Sequence, residues 1–335
     1  MRSDIDVDVS PDYPVSWQAA AMNTLMRGTM KPMSSLLLRH PAALTVACRA
    51  FELAQRLPGK LPGHVTVTEE QFGACGGEWV RATPPADGSG AAGAGRVLDD
   101  AKAVLYFHGG AYFICSPATH RSITWRLSLA ARRPVLALDY RQGPVHTLAA
   151  SLADAHAAYR CLLDRGYAPG DIILAGDSAG GHLTLATLLS LRDRGMPLPS
   201  AAVCLSPWAD LTDTPRRFNR WVDPVLAAGR VEWLARHWTD GLDPRDPLVS
   251  PAYGDYTGLP PLMIVTGSTE VLRDEARRVA LRARHAGVPV TYEEWHRMPH
   301  VFAILADVLP EARLVFRHIA RFLAALPSRM SPPLA

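Results

Sequence analysis

The sequence predicts an α/β fold: a mostly parallel central sheet with helices packed on both faces. Two observations carry that expectation. From residue 103 onward, short apolar runs alternate with stretches of helical periodicity, the pattern of strands covered on both faces by crossover helices. One of those strand-to-helix junctions holds Gly176-Asp177-Ser178-Ala179-Gly180, a turn so tight that only small residues can flank its serine.

Taken in order, residues 15–57 carry helical patterning, with Trp17, Met22, Leu25, Met26, Met30, Met33, Leu36, Leu37 and Leu38 on a broad apolar face. Such a face is packing surface, and its methionines also suit an adaptable lid, because the thioether chain fits many shapes. Residues 64–68 and 77–81 read as two strands. The Pro-, Gly- and Ala-rich stretch 83–95 reads as a flexible surface loop. Strands are then expected at 103–107, 135–138, 171–175, 201–205, 262–265 and 290–294. Helices are expected between and after them, near 119–132, 148–165, 179–194, 270–286 and 302–325. The segment 212–258, rich in Trp, Arg and Pro, is too long for a simple crossover and is expected to make an excursion above the sheet. No internal repeat is present.

A chain of 335 residues with 48% hydrophobic content can bury a large core. The net charge of +3 comes almost entirely from scattered arginines, with no basic stripe, so nucleic acid is not an expected partner. The five cysteines (Cys48, Cys75, Cys115, Cys161, Cys204) are odd in number and lack a C-x-x-C pair. That argues against a disulfide framework and a zinc site, and fits a reducing compartment. The acidic run Met1-Arg2-Ser3-Asp4-Ile5-Asp6-Val7-Asp8 lacks the apolar core of a signal peptide. No apolar run approaches the roughly 20 residues of a membrane span. The expectation is a cytoplasmic protein without stable membrane insertion.

Serine is a poor nucleophile unless a base takes its proton and an acid holds that base in the right tautomer. Ser178, at the tip of the tight turn, is the candidate nucleophile. His300, in Met298-Pro299-His300 between the last expected strand and the terminal helix, is the candidate base, in the chain order Ser, acid, His of the α/β hydrolases. The acid is expected after the penultimate strand, where Glu270 is the first choice and Asp274 the second. Either could instead be an acidic residue favoured by the positive end of a helix. Attack on a carbonyl also needs inward-facing N–H groups for the developing oxyanion. His108-Gly109-Gly110-Ala111, directly after the strand 103–107, matches a loop of that kind; Gly109, Gly110 and Ala111 are the expected donors, with Ala179 next to the nucleophile.

With these motifs in place, the chain resembles the hormone-sensitive-lipase family of esterases, the bacterial family IV carboxylesterases, from about residue 60 to the C-terminus. Further matches are Gly110-Ala111-Tyr112 through Ser116-Pro117-Ala118-Thr119-His120-Arg121, Asp139-Tyr140-Arg141, and Leu205-Ser206-Pro207-Trp208-Ala209-Asp210-Leu211. The segment from Ser16-Trp17 to Lys31-Pro32 is similar, more weakly, to enzymes known as ε-lactone hydrolases. The resemblance implies an α/β-hydrolase fold with a helical cap. In domain terms, 1–57 would form an N-terminal cap segment and 58–335 the catalytic domain, with 212–242 contributing to the cap. It also aligns Glu270 with the first position of the family's D-P-L-x-D element, placing glutamate where aspartate is usual. Two other departures are Ala111 for the third glycine of the oxyanion loop, and Gln142-Gly143-Pro144-Val145-His146 for the family's L-A-P-E-H.

The implied activity is serine ester hydrolysis on small or medium apolar acyl esters or lactones, with no metal or organic cofactor. Alternatives on the same residues are acyl transfer to an alcohol, a non-catalytic small-molecule receptor, and a lipase working at a lipid surface. A homodimer paired through the sheet edge is left open by analogy with relatives.

Overall fold

The computed structural model describes residues 13–37, 46, 61–84, 98–212, 219, 222–239 and 241–326. Residues 1–12, 38–45 and 47–57 of the expected cap segment lie outside them, as do 85–95 of the expected surface loop and 213–218, 220, 221 and 240 of the excursion.

Among the described residues, eight strands form one sheet: β1 (Val65–Phe72), β2 (Cys75–Ala82), β3 (Ala103–Phe107), β4 (Val135–Asp139), β5 (Ile172–Asp177), β6 (Ala201–Leu205), β7 (Leu262–Gly267) and β8 (Val290–Trp295). Their order is β1-β2-β4-β3-β5-β6-β7-β8. All eight overlap the expected strands. β1 and β2 form an antiparallel hairpin closed by Gly73 at φ +62°, and β2 runs antiparallel to β4; the remaining neighbours are parallel.

The helices are α1 (Trp17–Gly28), α2 (Met30–Leu37), α3 (Arg121–Ala131), α4 (Leu148–Asp164), α5 (Ala179–Asp193), α6 (Ala228–Trp238), α7 (Arg273–His285) and α8 (Pro310–Ala324) among the described residues. Alternation along the strands sends successive side chains to opposite faces. Leu105, Phe107 and Leu174 pack with Leu152 of α4, Leu183 of α5 and Val279 of α7. Val104, Tyr106 and Ile173 pack with Ile123 of α3 and Val315 of α8 on the other face, where Ala19 of α1 also docks. α6, inside the expected excursion, buries Ala228, Val231 and Leu234.

Two expected helices begin later than their periodicity suggested. α7 starts at Arg273, because residues 268–272 form a turn off β7. The stretch expected as one helix over 302–325 is a single 3₁₀ turn, Phe302–Leu305, and then α8, whose Pro310 suits a first-turn position where no N–H is needed.

The register fixes what meets at the sheet's carboxyl edge. Phe107 pairs with Gly176, Asp177 with Leu205, Leu205 with Val265, and Gly267 with Trp295. The loops leaving β3, β5, β6, β7 and β8 therefore emerge side by side, which is where open parallel sheets place their sites.

Candidate active site

Ser178 sits between β5 and α5 at φ 51°, ψ −117°, a conformation that a residue with a side chain adopts only under constraint. The constraint is the close approach of α5 to the strand ends. A Cβ on Gly180 would collide with the Phe107 carbonyl, and one on Gly176 with the carbonyl of Gly180. The turn is held by Ser178 N–H donating to the Leu205 carbonyl at 2.9 Å and Trp208 N–H donating to the Ser178 carbonyl at 3.0 Å.

His300, on the loop after β8, places Nε2 2.9 Å from Ser178 Oγ and Nδ1 2.9 Å from Glu270 Oε2. Its side chain is 9% exposed and that of Glu270 is fully buried. Besides His300, Glu270 accepts the Gly267 amide and, at 2.7 Å, the Ser206 hydroxyl. Burial pushes the Glu270 pKa up, and the hydrogen bond and charge of His300 only partly offset it. For His300, burial works downward, but the hydrogen bond and charge of Glu270, then the charges of Asp223 and Asp177, leave the imidazole above its ordinary range. The other candidate acid, Asp274, is one-third exposed in the first turn of α7 and pairs with Arg273 at 3.1 Å. The structure thus brings Ser178, His300 and Glu270 together and leaves Asp274 outside the group.

The loop after β3 winds through left-handed conformations at Gly110 (φ +115°), Ala111 (φ 56°), Tyr112 (φ 68°) and Cys115 (φ 77°). At Gly110 this is steric as well as conformational, since a Cβ would overlap the Ile114 carbonyl. The amides of Gly110, Ala111 and Ala179 have no protein acceptor among the described residues. The expectation for Gly109 is corrected: its N–H donates to Asp177 Oδ1 at 2.9 Å and is not available to an oxyanion. Asp177 is buried, also accepts the Tyr106 hydroxyl, and pairs through Oδ2 with His120 Nε2 at 3.3 Å. His108 lies behind this loop, fully buried and stacked on Tyr140 at 4.5 Å, and burial pushes its pKa down to about 3. Its Nδ1 lies 2.7 Å from the Gly109 carbonyl, which helps to hold the loop.

Several residues that the sequence reading did not single out for a role support the site. Ser206, at φ 50°, donates to Glu270 and accepts the amide of Val301, next to His300, at 3.1 Å. The stretch 205–211 matched the family pattern, but no spacing rule distinguishes Ser206 from its neighbours. Trp238 of α6 stacks on Tyr112 at 5.2 Å and meets Phe113 edge-on at 5.0 Å, roofing the loop after β3. Gly143, within the stretch that departs from the family pattern, is what admits it: a Cβ there would stand 2.5 Å from Trp238 and 2.7 Å from Phe113. No His, Cys, Asp and Glu cluster suited to a metal occurs among the described residues.

A family model for the alpha/beta hydrolase fold matches residues 104–304. An acetyl-hydrolase of Streptomyces hygroscopicus is 44% identical over 282 residues, covering 82% of this chain and 87% of that protein. Among solved structures, the esterase EstE5 soaked in ethyl alcohol aligns with a TM-score of 0.81 at 34% identity, covering 92% of this chain and 98% of that one. An esterase from the bacterial hormone-sensitive lipase family aligns with a TM-score of 0.80 at 35% identity, over 94% and 99%.

Proposed function

Because the chain belongs to the hormone-sensitive-lipase family of α/β hydrolases and is a carboxylic-ester hydrolase, we propose that it works through a Ser178-His300-Glu270 triad on esters of short apolar acids. The observation that carries this reading is the pair of 2.9 Å contacts that His300 makes, one to each partner. Glu270 holds Nδ1 as the donor, which leaves the Nε2 lone pair facing the serine hydroxyl. His300 takes the Ser178 proton as Oγ attacks the carbonyl carbon, and the carbonyl π pair moves onto oxygen. That oxyanion is received by the amides of Gly110, Ala111 and Ala179, each donor being worth about 3 kcal/mol of barrier. Collapse expels the alcohol, which takes its proton from Nε2. Water, deprotonated by the same nitrogen, attacks the acyl-enzyme and releases the acid and free Ser178.

The acetyl-hydrolase relative supports a short acyl group, and the Trp238–Tyr112–Phe113 cluster supports a restricted space beside the oxyanion loop. Lactones fit the same chemistry, since ring opening also expels an alkoxide. We assign α1, α2 and the region 212–242 to a cap over the site; hydrogen bonds from Arg27, Lys31 and Ser34 to carbonyls of 222–225 support that grouping. A receptor lacking turnover is disfavoured by the placement of His300. Cys75, Cys115, Cys161 and Cys204 form no disulfide among the described residues, which supports a reducing, cytoplasmic setting. No described helix is long and apolar enough to cross a membrane.

The test is Ser178→Ala against a panel of soluble esters of increasing acyl length and lactones of increasing ring size. The variant is expected to lose turnover on all of them. The wild type is expected to show its highest kcat/KM on the shortest acyl chains of the panel, in line with the acetyl-hydrolase relative. Full turnover by Ser178→Ala would remove the nucleophile from the proposal.

A further inference from the structure

The acid-bearing loop between β7 and α7 is held from a distant part of the chain. Asp223, in the excursion between β6 and α6, is completely buried. Its Oδ2 accepts the Val271 amide at 2.8 Å, while Oδ1 accepts the amides of Val225 and Leu226, each at 2.8 Å. Asn219, from the same excursion, donates through Nδ2 to the carbonyls of Ser268 and Glu270, both at 2.8 Å. Two side chains therefore grip the backbone at Ser268, Glu270 and Val271. On its other side this excursion is fastened to the cap helices: Lys31 Nζ donates to the Asp223 carbonyl at 2.9 Å, Arg27 to that of Val222 at 3.0 Å, and Ser34 to that of Val225 at 2.9 Å.

We propose that Asp223 is a positioning residue for the carboxylate end of the triad, clamping the loop that carries Glu270 and joining that loop to the cap. The proposal rests on the triad reading above. Its physical content is that Glu270, having a longer arm than aspartate, needs its backbone held from outside the β7 tip. The Asp223 carboxylate does this with acceptor oxygens that no amide can replace. Asp223→Asn keeps the shape but substitutes an NH₂ for one oxygen. Whichever way the amide turns, a donor then faces either the Val271 N–H or the pair from Val225 and Leu226, so one set of bonds is lost. Asp223 also acts on His300 by charge, together with Glu270 and Asp177, and Lys31 is the cation near Asp223 on the cap side.

The experiment measures kcat and KM for a soluble short-chain ester across pH, per active site titrated with a phosphonate for wild type, Asp223→Asn and Asn219→Ala, and per mole of folded protein for Glu270→Gln. Asp223→Asn is expected to lower kcat by about 10- to 100-fold, the scale of a small misplacement of a reacting group. KM should change little, and the acidic limb of kcat/KM should move to lower pH. Asn219→Ala should lower kcat in the same direction without moving that limb, since it removes no charge. An unchanged kcat and limb in Asp223→Asn, or a fall in melting temperature with unaltered turnover per titrated site, overturns the proposal. If Asp223→Asn does not fold, Asn219→Ala decides, and wild-type kcat there overturns it. Glu270→Gln separates the two readings: if it is inactive while Asp223→Asn is silent, only the clamp fails; if it is active, the triad reading fails first.

Discussion

Replacing Glu270 by glutamine should disable the enzyme without unfolding it, and the hydrogen-bond inventory shows why. Glu270 Oε1 accepts from the Gly267 amide and from Ser206, whose oxygen is itself already occupied by the Val301 amide. An NH₂ group in the Oε1 position would meet a backbone donor, so a glutamine must keep its carbonyl there and turn its NH₂ toward His300 Nδ1. The imidazole then has to accept at Nδ1, which moves its proton to Nε2, 2.9 Å from Ser178 Oγ. With a proton already on Nε2, the ring cannot deprotonate the serine. The same inversion in a serine triad costs about 10⁴-fold in kcat, roughly 5 kcal/mol of barrier. Thermal stability should hold, because every buried polar atom still finds a partner. The assay is kcat/KM on a soluble chromogenic ester, with circular dichroism to confirm folding. Asp274→Asn, at a partly exposed residue paired with Arg273 outside the triad, should stay within about twofold. A Glu270→Gln enzyme within tenfold of wild type would refute the tautomer reasoning, and an inactive Asp274→Asn would move the acid.

The raised His300 pKa means that the neutral base appears only above the ordinary histidine value, so kcat/KM should climb with pH through a limb lying above 6.5. A limb below 6.5 in a pH titration would contradict the charge arrangement around the ring. Gly180→Ala, whose Cβ would overlap the Phe107 carbonyl, should cost at least about 3 kcal/mol in denaturant unfolding. Gly258→Ala has the open space but a φ of +78°, so about 1 kcal/mol is expected; equal losses at the two sites would refute the steric account. Asp177→Asn should destabilise by about 3 kcal/mol, because it leaves His120 buried without its counter-charge. The loss should depend on pH. His120 has a folded pKa above its ordinary 6.5, so its share of the stability is complete below 6.5 and fades as pH rises through the folded value. Asp177 has a folded pKa below its ordinary 3.8, so its share is complete above 3.8 and fades as pH falls through the folded value. The destabilisation should therefore be largest between about 3.8 and 6.5, and a flat difference from pH 5 to pH 9 would tell against the ion pair.

Much of this molecule could be read from its residues because the determinants are local. Strand and helix periodicities reveal all eight strands, and the Gly-x-Ser-x-Gly turn identifies Ser178, since the steric demand that excludes larger residues is written into the pentapeptide itself. The HGG loop and the placement of His300 after the last strand are of the same kind. The late start of α7 and the break before α8 were hidden, because apolar periodicity continues through turns that tertiary contacts impose.

What only the assembled structure decided is which polar group faces which. Glu270 and Asp274 are four residues apart and alike in charge, yet a turn off β7 buries one against His300 and leaves the other partly exposed beside Arg273. The amide of Gly109 looks equivalent to that of Gly110 in sequence, but the register of β3 against β5 brings the Asp177 carboxylate under it. Asp223 and Ser206 reach the acid loop from 47 and 64 positions away (270 − 223 and 270 − 206), through the side-by-side arrangement of strand ends. Hydrogen bonds act over about 3 Å of space regardless of separation along the chain. The sequence thus determined the chemical groups and the fold that carries them, while strand register and loop geometry determined the partner each group acquires.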